Sequence, residues 1–209
     1  MAARTLWIKV NIPKFNTPLT RLLHIDIPLV QAPMGNAASP ELAAAVCNAG
    51  GLGMISVGWR DADAVRKVIG EVRALTDRLF GVNLVLNAPQ DERLKICLDV
   101  GIKIVSFFWG DPTPYVNVVH DAGGLMFQTV ADAAEARRVS EAGADILVAQ
   151  GWEAGGNVWG TVATLLLSGL PKNFDIRTCG ASVSIWLLRL CKRRSALPTM
   201  IPSLMSCAT

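Results

Sequence analysis

Three carboxamide side chains stand where a chain of alternating strands and helices would bring them to a ligand. They are Asn83 inside Gly81-Val82-Asn83-Leu84, Gln128 in Gln128-Thr129, and Gln150 at the head of Gln150-Gly151-Trp152-Glu153-Ala154-Gly155-Gly156-Asn157. Each lies in or ends an apolar run, so its amide finds partners or stays buried and unpaired at about 1–3 kcal/mol. A carboxamide both donates and accepts, so converging amides can read the alternating edge of a flat heterocycle such as an isoalloxazine or a purine. Taken singly, each has a plainer role in pairing with another amide or with a strand end. Jointly they point to a ligand. Gly155-Gly156 leaves a backbone bare enough to approach a ring or a phosphate, and it equally describes an ordinary strand-to-helix turn.

Other reactive side chains carry less. His24 precedes the first expected strand and His120 lies near the end of a helix starting at Pro114, so both read as structural. Cys47 and Cys97 fall inside expected helices with no histidine placed to activate them. Asp111 and Glu153 are the carboxylates of the strand-end set. Glu153 could act as a general base, although a charge at a helix N-terminus is its blander role. The five cysteines, Cys47, Cys97, Cys179, Cys191 and Cys207, form an odd count without a C-x-x-C pair. That argues against a disulfide framework or a metal site and for reduced thiols.

The elements that must position these groups recur regularly. Short aliphatic runs predict strands at 28–32, 52–57, 80–86, 102–107, 125–129 and 145–149, all mostly apolar, as strands buried on both faces are. Helical patterns between them end at Gly50-Gly51, Gly101 and Gly143, and begin after Ser39 and Asp61. Six βα units follow, on a parallel sheet. The first strand runs into Ala32-Pro33-Met34-Gly35, and Gly51-Leu52-Gly53 leads into a strand, so the G-x-G-x-x-G of a dinucleotide fold is absent. A parallel α/β barrel is favoured, with its ligand site at the C-terminal strand ends. Those ends include Ser56-Val57-Gly58 and Phe107-Phe108-Trp109-Gly110 as well as the amides.

The chain has 209 residues, 51% hydrophobic and 18% charged, which suits one domain with a sizeable core. Residues 1–168 carry 14 basic against 16 acidic side chains, whereas residues 169–209 carry 6 against 1. Lys192, Arg193 and Arg194 lack the interleaved aromatics that stack bases, so no nucleic-acid partner is expected. Apolar runs fall short of the roughly 20 residues that cross a bilayer. No secretory signal is read at the N-terminus, which makes a cytoplasmic protein without a membrane partner the expectation. After residue 168 the βα pattern stops. Trp186, Leu187, Leu188 and Leu190 suggest a short helical stripe, and the last residues show no period.

At its strand ends the chain resembles the nitronate monooxygenase family, also called 2-nitropropane dioxygenases. The resemblance rests on Pro28-Leu29-Val30-Gln31-Ala32-Pro33-Met34, Asn48-Ala49-Gly50-Gly51-Leu52-Gly53, Phe80-Gly81-Val82-Asn83-Leu84, Ala142-Gly143-Ala144-Asp145 and Gln150-Gly151-Trp152-Glu153-Ala154-Gly155-Gly156, in that order. It covers roughly residues 17–168. It implies a TIM-barrel type fold with about six of eight βα units present, residues 1–168 as a partial barrel and residues 169–209 as a divergent basic tail.

The resemblance further implies an FMN site lined by Ala32, Pro33, Met34, Asn83, Gln128, Gln150, Gly151, Gly155 and Gly156. There the flavin accepts electrons from an alkyl nitronate and then reacts with molecular oxygen. In the family a histidine follows the glycine pair and orients the nitro group or takes its proton; here that position is Asn157. An amide can hydrogen-bond a nitro oxygen but cannot serve as a base near neutral pH. The family closes its barrel with two further units that hold the flavin phosphate, so the resemblance implies a C-terminally incomplete chain, through truncation or frameshift. A natural short form would need a second copy or another chain over its open side. Two competing readings are a flavin-dependent enoyl reductase with a nicotinamide donor, and a non-catalytic remnant that no longer binds FMN.

Overall fold

The computed structural model describes residues 14–161, together with the backbone of two short strands at Ile176–Thr178 and Trp186–Leu190. Helix α1 (Pro18–Leu23) leads through a single 3-10 turn at Gly35–Ala37 to α2 (Pro40–Asn48). Strand and helix then alternate as β1 (Met54–Ser56), α3 (Ala62–Arg73), β2 (Gly81–Val85), α4 (Asp91–Asp99) and β3 (Ile104–Phe108). The alternation continues with α5 (Thr113–Asp121), β4 (Leu125–Val130), α6 (Ala133–Ala142) and β5 (Ile146–Gln150). The sheet order is β1-β2-β3-β4-β5-β7-β6, where β6 and β7 are the two short strands.

The helix starts follow from local chemistry. Ser39 accepts from the Leu42 amide at 3.3 Å, Asp61 from Ala64 at 2.8 Å, and Asp132 from Ala134 and Glu135 at 2.8 and 2.9 Å. Each satisfies amides that no helix turn can reach. Gly143, at φ 110°, ends α6 in the left-handed region that a side chain disfavours. Helix α1 stands outside the six-unit pattern. Its signal is Thr17 before Pro18, a cap whose partner in a reciprocal box is Thr20 in place of the usual Glu.

Five expected strands form and pair in parallel with an unbroken register. The expected strand at 28–32 is reduced to one parallel bridge, Val30 to Leu52. Pro28 and Pro33 have no N–H to donate, which leaves the Gln31 amide to donate to Leu52 and the Leu52 amide to donate to Leu29, each at 2.9 Å. The Gln31 side chain then takes over from the backbone and accepts from the Met54 amide at 3.2 Å.

The helical stripe expected at 186–190 is overturned: this segment is β7, which pairs antiparallel with β5 over five residue pairs from Ile146–Leu190 to Gln150–Trp186. The open edge of β5 presents unpaired backbone donors and acceptors. A strand satisfies them where a helix would not. The boundary expected at residue 168 lies outside the described residues.

Side-chain alternation divides the sheet into two cores. Ile55, Val57, Val82, Leu84, Val105, Phe107, Met126 and Leu147 pack outward with the helices. Met54, Ile104, Phe127, Ile146 and Val148 pack on the inner face, closed from below by Leu19 and Leu23 of α1. One inner row runs in register as Ser56, Asn83, Ser106, Phe127 and Ile146. Phe127 is 1% exposed at its centre. Phe127→Ala is expected to lower the unfolding free energy by about 3–5 kcal/mol in a urea titration; a loss below about 1 kcal/mol would show that the inner face is not a packed core.

Candidate functional site

A cavity of about 440 Å³ opens above the inner face, at the C-terminal ends of the strands. Its floor and walls come from the same parity as the inner row: Ser56 of β1, Asn83 and Val85 of β2, Phe108 of β3 and Gln150 of β5. Ala32, Pro33, Met34 and Gly35 form one side, and Gly155, Gly156 and Asn157 the other. Trp59 stands at the rim, 63% exposed.

The Ala32–Gly35 segment is a rigid edge. The Met34 amide donates to the Ala32 carbonyl at 3.0 Å and the Gly35 amide to the Pro33 carbonyl at 2.9 Å, two successive three-residue turns. The Met34 and Gly35 donors are used internally, which fixes the shape of this side of the cavity. The Asn83 side chain is the opposite case. The residue is 5% exposed, borders the cavity, and its amide makes no hydrogen bond among the described residues. Its polar atoms are not sealed from solvent, so a ligand or water in the cavity can answer them.

Gln150 also borders the cavity, but both ends of its amide are taken. Its Nε2 donates to the Asn157 carbonyl at 3.0 Å, and its Oε1 accepts from the Trp159 amide at 2.6 Å. It therefore holds the glycine loop in place. Gly151 does not border the cavity; its carbonyl accepts from the Ala154 amide at 3.1 Å.

The convergence of three amides is corrected to two. Gln128 is in register with Leu84, Phe107 and Leu147, the row that faces the helices, so it points away from Asn83 and does not border the cavity. The physical reason is parity: Asn83 aligns through Ser106 with Phe127, one residue before Gln128. Gln128 Nε2 donates to the carbonyls of Thr129 at 2.9 Å and Trp109 at 3.3 Å, while its buried Oε1 has no partner among the described residues. Trp109 has φ 60°, a strained conformation for a non-glycine residue, and its ring leans on Phe108 at 4.9 Å. Gln128 thus buttresses the turn that delivers Phe108 to the cavity.

Gly35, Ser56 and Phe108, which the sequence places at the strand ends, also border the cavity, as do Trp59 and Val85, which it does not. For Val85 the signal is its inward parity, shared with Asn83 two residues before it. Trp59 has no such signal in a strand pattern.

The remaining candidates lie elsewhere. His24 ends α1 at φ 52°, and His120 Nε2 lies 2.9 Å from Asp145, which also accepts from the Met126 amide. Neither histidine borders the cavity. Asp111 accepts from the Thr113 hydroxyl at 2.7 Å and from Arg138 at 2.7 Å; chiefly the Thr113 bond, with help from Arg138, holds its carboxyl below the usual range. It is a committed anion, not a base. No helix begins at Glu153, because residues 151–161 are irregular, so the helix-terminus role expected for it is not found. No group of three or more possible metal ligands occurs among the described residues. No helix among them is long and apolar enough to cross a membrane.

Five parallel strands alternating with helices, with a cavity at their C-terminal ends, make a TIM-barrel type enzyme fold. A profile of the nitronate monooxygenase family matches residues 16–92 and 88–170. The chain is 36% identical over 163 residues to a Mycobacterium tuberculosis (3aS,4S,5R,7aS)-5-hydroxy-7a-methyl-1-oxo-octahydro-1H-indene-4-carboxyl-CoA dehydrogenase, covering 78% of this chain and 45% of that one. It is 37% identical over 179 residues to a Paraburkholderia phytofirmans nitronate monooxygenase, covering 66% and 49% respectively. The solved structure of FabK from Thermotoga maritima superposes with a TM-score of 0.70 at 41% identity, covering 73% of this chain and 49% of that one. The chain belongs to the nitronate monooxygenase family, a family of flavin-dependent oxidoreductases. It spans about half the length of the curated relatives it matches.

Cys47 and Cys97 are fully buried, and burial pushes the Cys97 thiol up to about 12 and raises that of Cys47. A raised thiol is protonated throughout the neutral range, so neither forms the reactive thiolate. Iodoacetamide at pH 8 followed by peptide mass mapping is expected to label both only after denaturation.

Proposed function

We propose that this chain builds the substrate-facing part of an FMN site and oxidises alkyl nitronates with molecular oxygen. The observation that carries this reading is the Asn83 amide, buried at the cavity floor, unpartnered among the described residues, and facing a wall of backbone at Gly155 and Gly156. That donor set suits a flat ring with donors and acceptors along its edge. Asn83 would hold that edge, Ala32, Pro33 and Met34 would abut one side of the ring, and the glycine pair the other. Gln150 acts through the loop it holds. Gly151 does not border the cavity, and Gln128 acts on the Phe108 turn, not on the ring. When bound, the flavin supplies the two-electron acceptor and the route onward to oxygen.

Asn157 sits at the exposed rim of the cavity, where its amide can donate to a nitro oxygen and orient the substrate. It takes no proton near neutral pH, and neither a histidine nor a carboxylate borders the cavity among the described residues. The substrate must therefore arrive already deprotonated. Met34, Phe108 and Trp59 supply apolar surface that limits water around it.

A titration with FMN, followed by visible absorbance and flavin fluorescence, is expected to saturate with a perturbed spectrum; absence of binding would leave the non-catalytic reading in place. Asn83→Leu is expected to weaken FMN binding by about tenfold, the value of one or two lost hydrogen bonds, without lowering the melting temperature.

With FMN bound, the protein is expected to consume preformed propyl nitronate but not neutral nitropropane. Asn157→His is expected to add turnover of the neutral compound, with a rate that rises with pH through about 6.5 as the imidazole loses its proton. Neutral nitroalkane turnover by the unsubstituted chain would overturn the role given to Asn157.

The second reading is redox chemistry on an acyl thioester, of the enoyl-reductase kind. It is favoured by the CoA thioester in the name of the mycobacterial relative. Anaerobic bleaching of bound flavin by nitronate, and not by reduced nicotinamide, separates the two.

A further inference from the structure

The loop that carries Gly155, Gly156 and Asn157 has no regular secondary structure, and its residues 155–159 are half-buried or exposed. Gly156 has φ 77° and no atom within 4 Å of where a side chain would start. Such a segment has large conformational freedom, and holding it in one place needs ties that offset the lost entropy.

Ties of at least two kinds are present. Gln150 joins the loop to the end of its own strand through Asn157 and Trp159. The second tie crosses to the neighbouring βα unit. The Trp159 indole Nε1 donates to Glu135 Oε2 at 2.8 Å, and the Ala131 amide donates to the same oxygen at 2.7 Å. The Glu135 side chain is 11% exposed, with Arg138 3.8 Å from its other oxygen. Glu135 stands in the first turn of α6, where a helix start favours a carboxylate. A loop residue and the exit of β4 therefore meet on one carboxylate oxygen.

We infer that Glu135 and Trp159 form a strut that fixes the glycine loop over the cavity before any ligand arrives, and thereby sets the affinity for the flavin. Both are positioning residues. Prior ordering of the loop removes a cost that binding would otherwise carry. The link to affinity rests on the FMN reading; the ordering of the loop does not.

The test combines hydrogen exchange of the ligand-free protein, read by mass spectrometry over residues 155–159, with FMN titration of the same samples. Trp159→Phe keeps the ring and removes the N–H, and Glu135→Leu removes the acceptor. Each is expected to speed exchange of the loop amides by about fivefold and weaken FMN binding by a similar factor. Glu135→Gln, whose single carbonyl oxygen can accept from both donors, is expected to stay within about twofold of the parent. Trp159→Phe in the Glu135→Leu background is expected to add nothing, because the interaction is already gone.

Parent-like exchange in Trp159→Phe, at an unchanged melting temperature, would overturn the strut even if Glu135→Leu fails to fold. Faster exchange with unchanged FMN affinity would overturn its link to binding. No FMN binding by the parent would sink the flavin reading, with the exchange result still deciding whether the strut holds the loop.

Discussion

Parity along the strands governs everything else in this molecule. Five parallel strands share one register, and side chains on a strand alternate between faces, so a polar residue's consequence depends on whether its position is odd or even. Ser56, Asn83 and Ser106 fall on the inner row, in register with the packed Phe127 and Ile146. Gln128 falls on the row with Leu84 and Phe107, among the helices. A shift of one residue in the pairing of β2 would exchange its faces and turn Asn83 toward the helix-facing core. The apolar burial on both faces makes that shift expensive, which keeps the site's geometry fixed.

Below the polar row, α1 seals the inner face with Leu19 and Leu23. Above it the strands end in turns that depend on close backbone approach. A side chain on Gly53 would collide with the Ala43 carbonyl of α2, and one on Gly160 with the carbonyl of Gln150. The first approach seats α2 against β1, and the second folds the 151–160 loop back onto the end of β5. The strained Trp109 turn, braced by Gln128, completes the ring of elements around the cavity. Packing below and bracing above together leave the Asn83 amide open to a ligand at the cavity floor.

Much of this was legible in the sequence. Strand runs, glycine stops and side-chain caps located five strands and their helices, because each signal is local and the structure obeys it. The residues bordering the cavity were legible where backbone order mattered: Ala32-Pro33-Met34, Asn83 and Gly155-Gly156-Asn157 all reach it. The strand at 28–32 was overstated because prolines at positions 28 and 33 remove donors that a full ladder needs. The segment 186–190 was misjudged as helical because a short apolar run has no period of its own; its pairing partner β5 decides its form.

The amide residues separate the two levels most clearly. Their types, and their places at the ends of apolar runs, are sequence properties, and they established that polar groups would be buried near the strand ends. Which of them meets a ligand is a tertiary property. Register turned Gln128 toward the helices, the returning loop occupied Gln150 at both ends, and only Asn83 was left open. The meeting of Trp159 with Glu135 is tertiary too, since residues 24 apart in the chain share an oxygen only once two neighbouring βα units are packed side by side. Local propensity acts over a few residues, whereas hydrogen-bond satisfaction is settled by whatever the folded chain brings within about 3 Å.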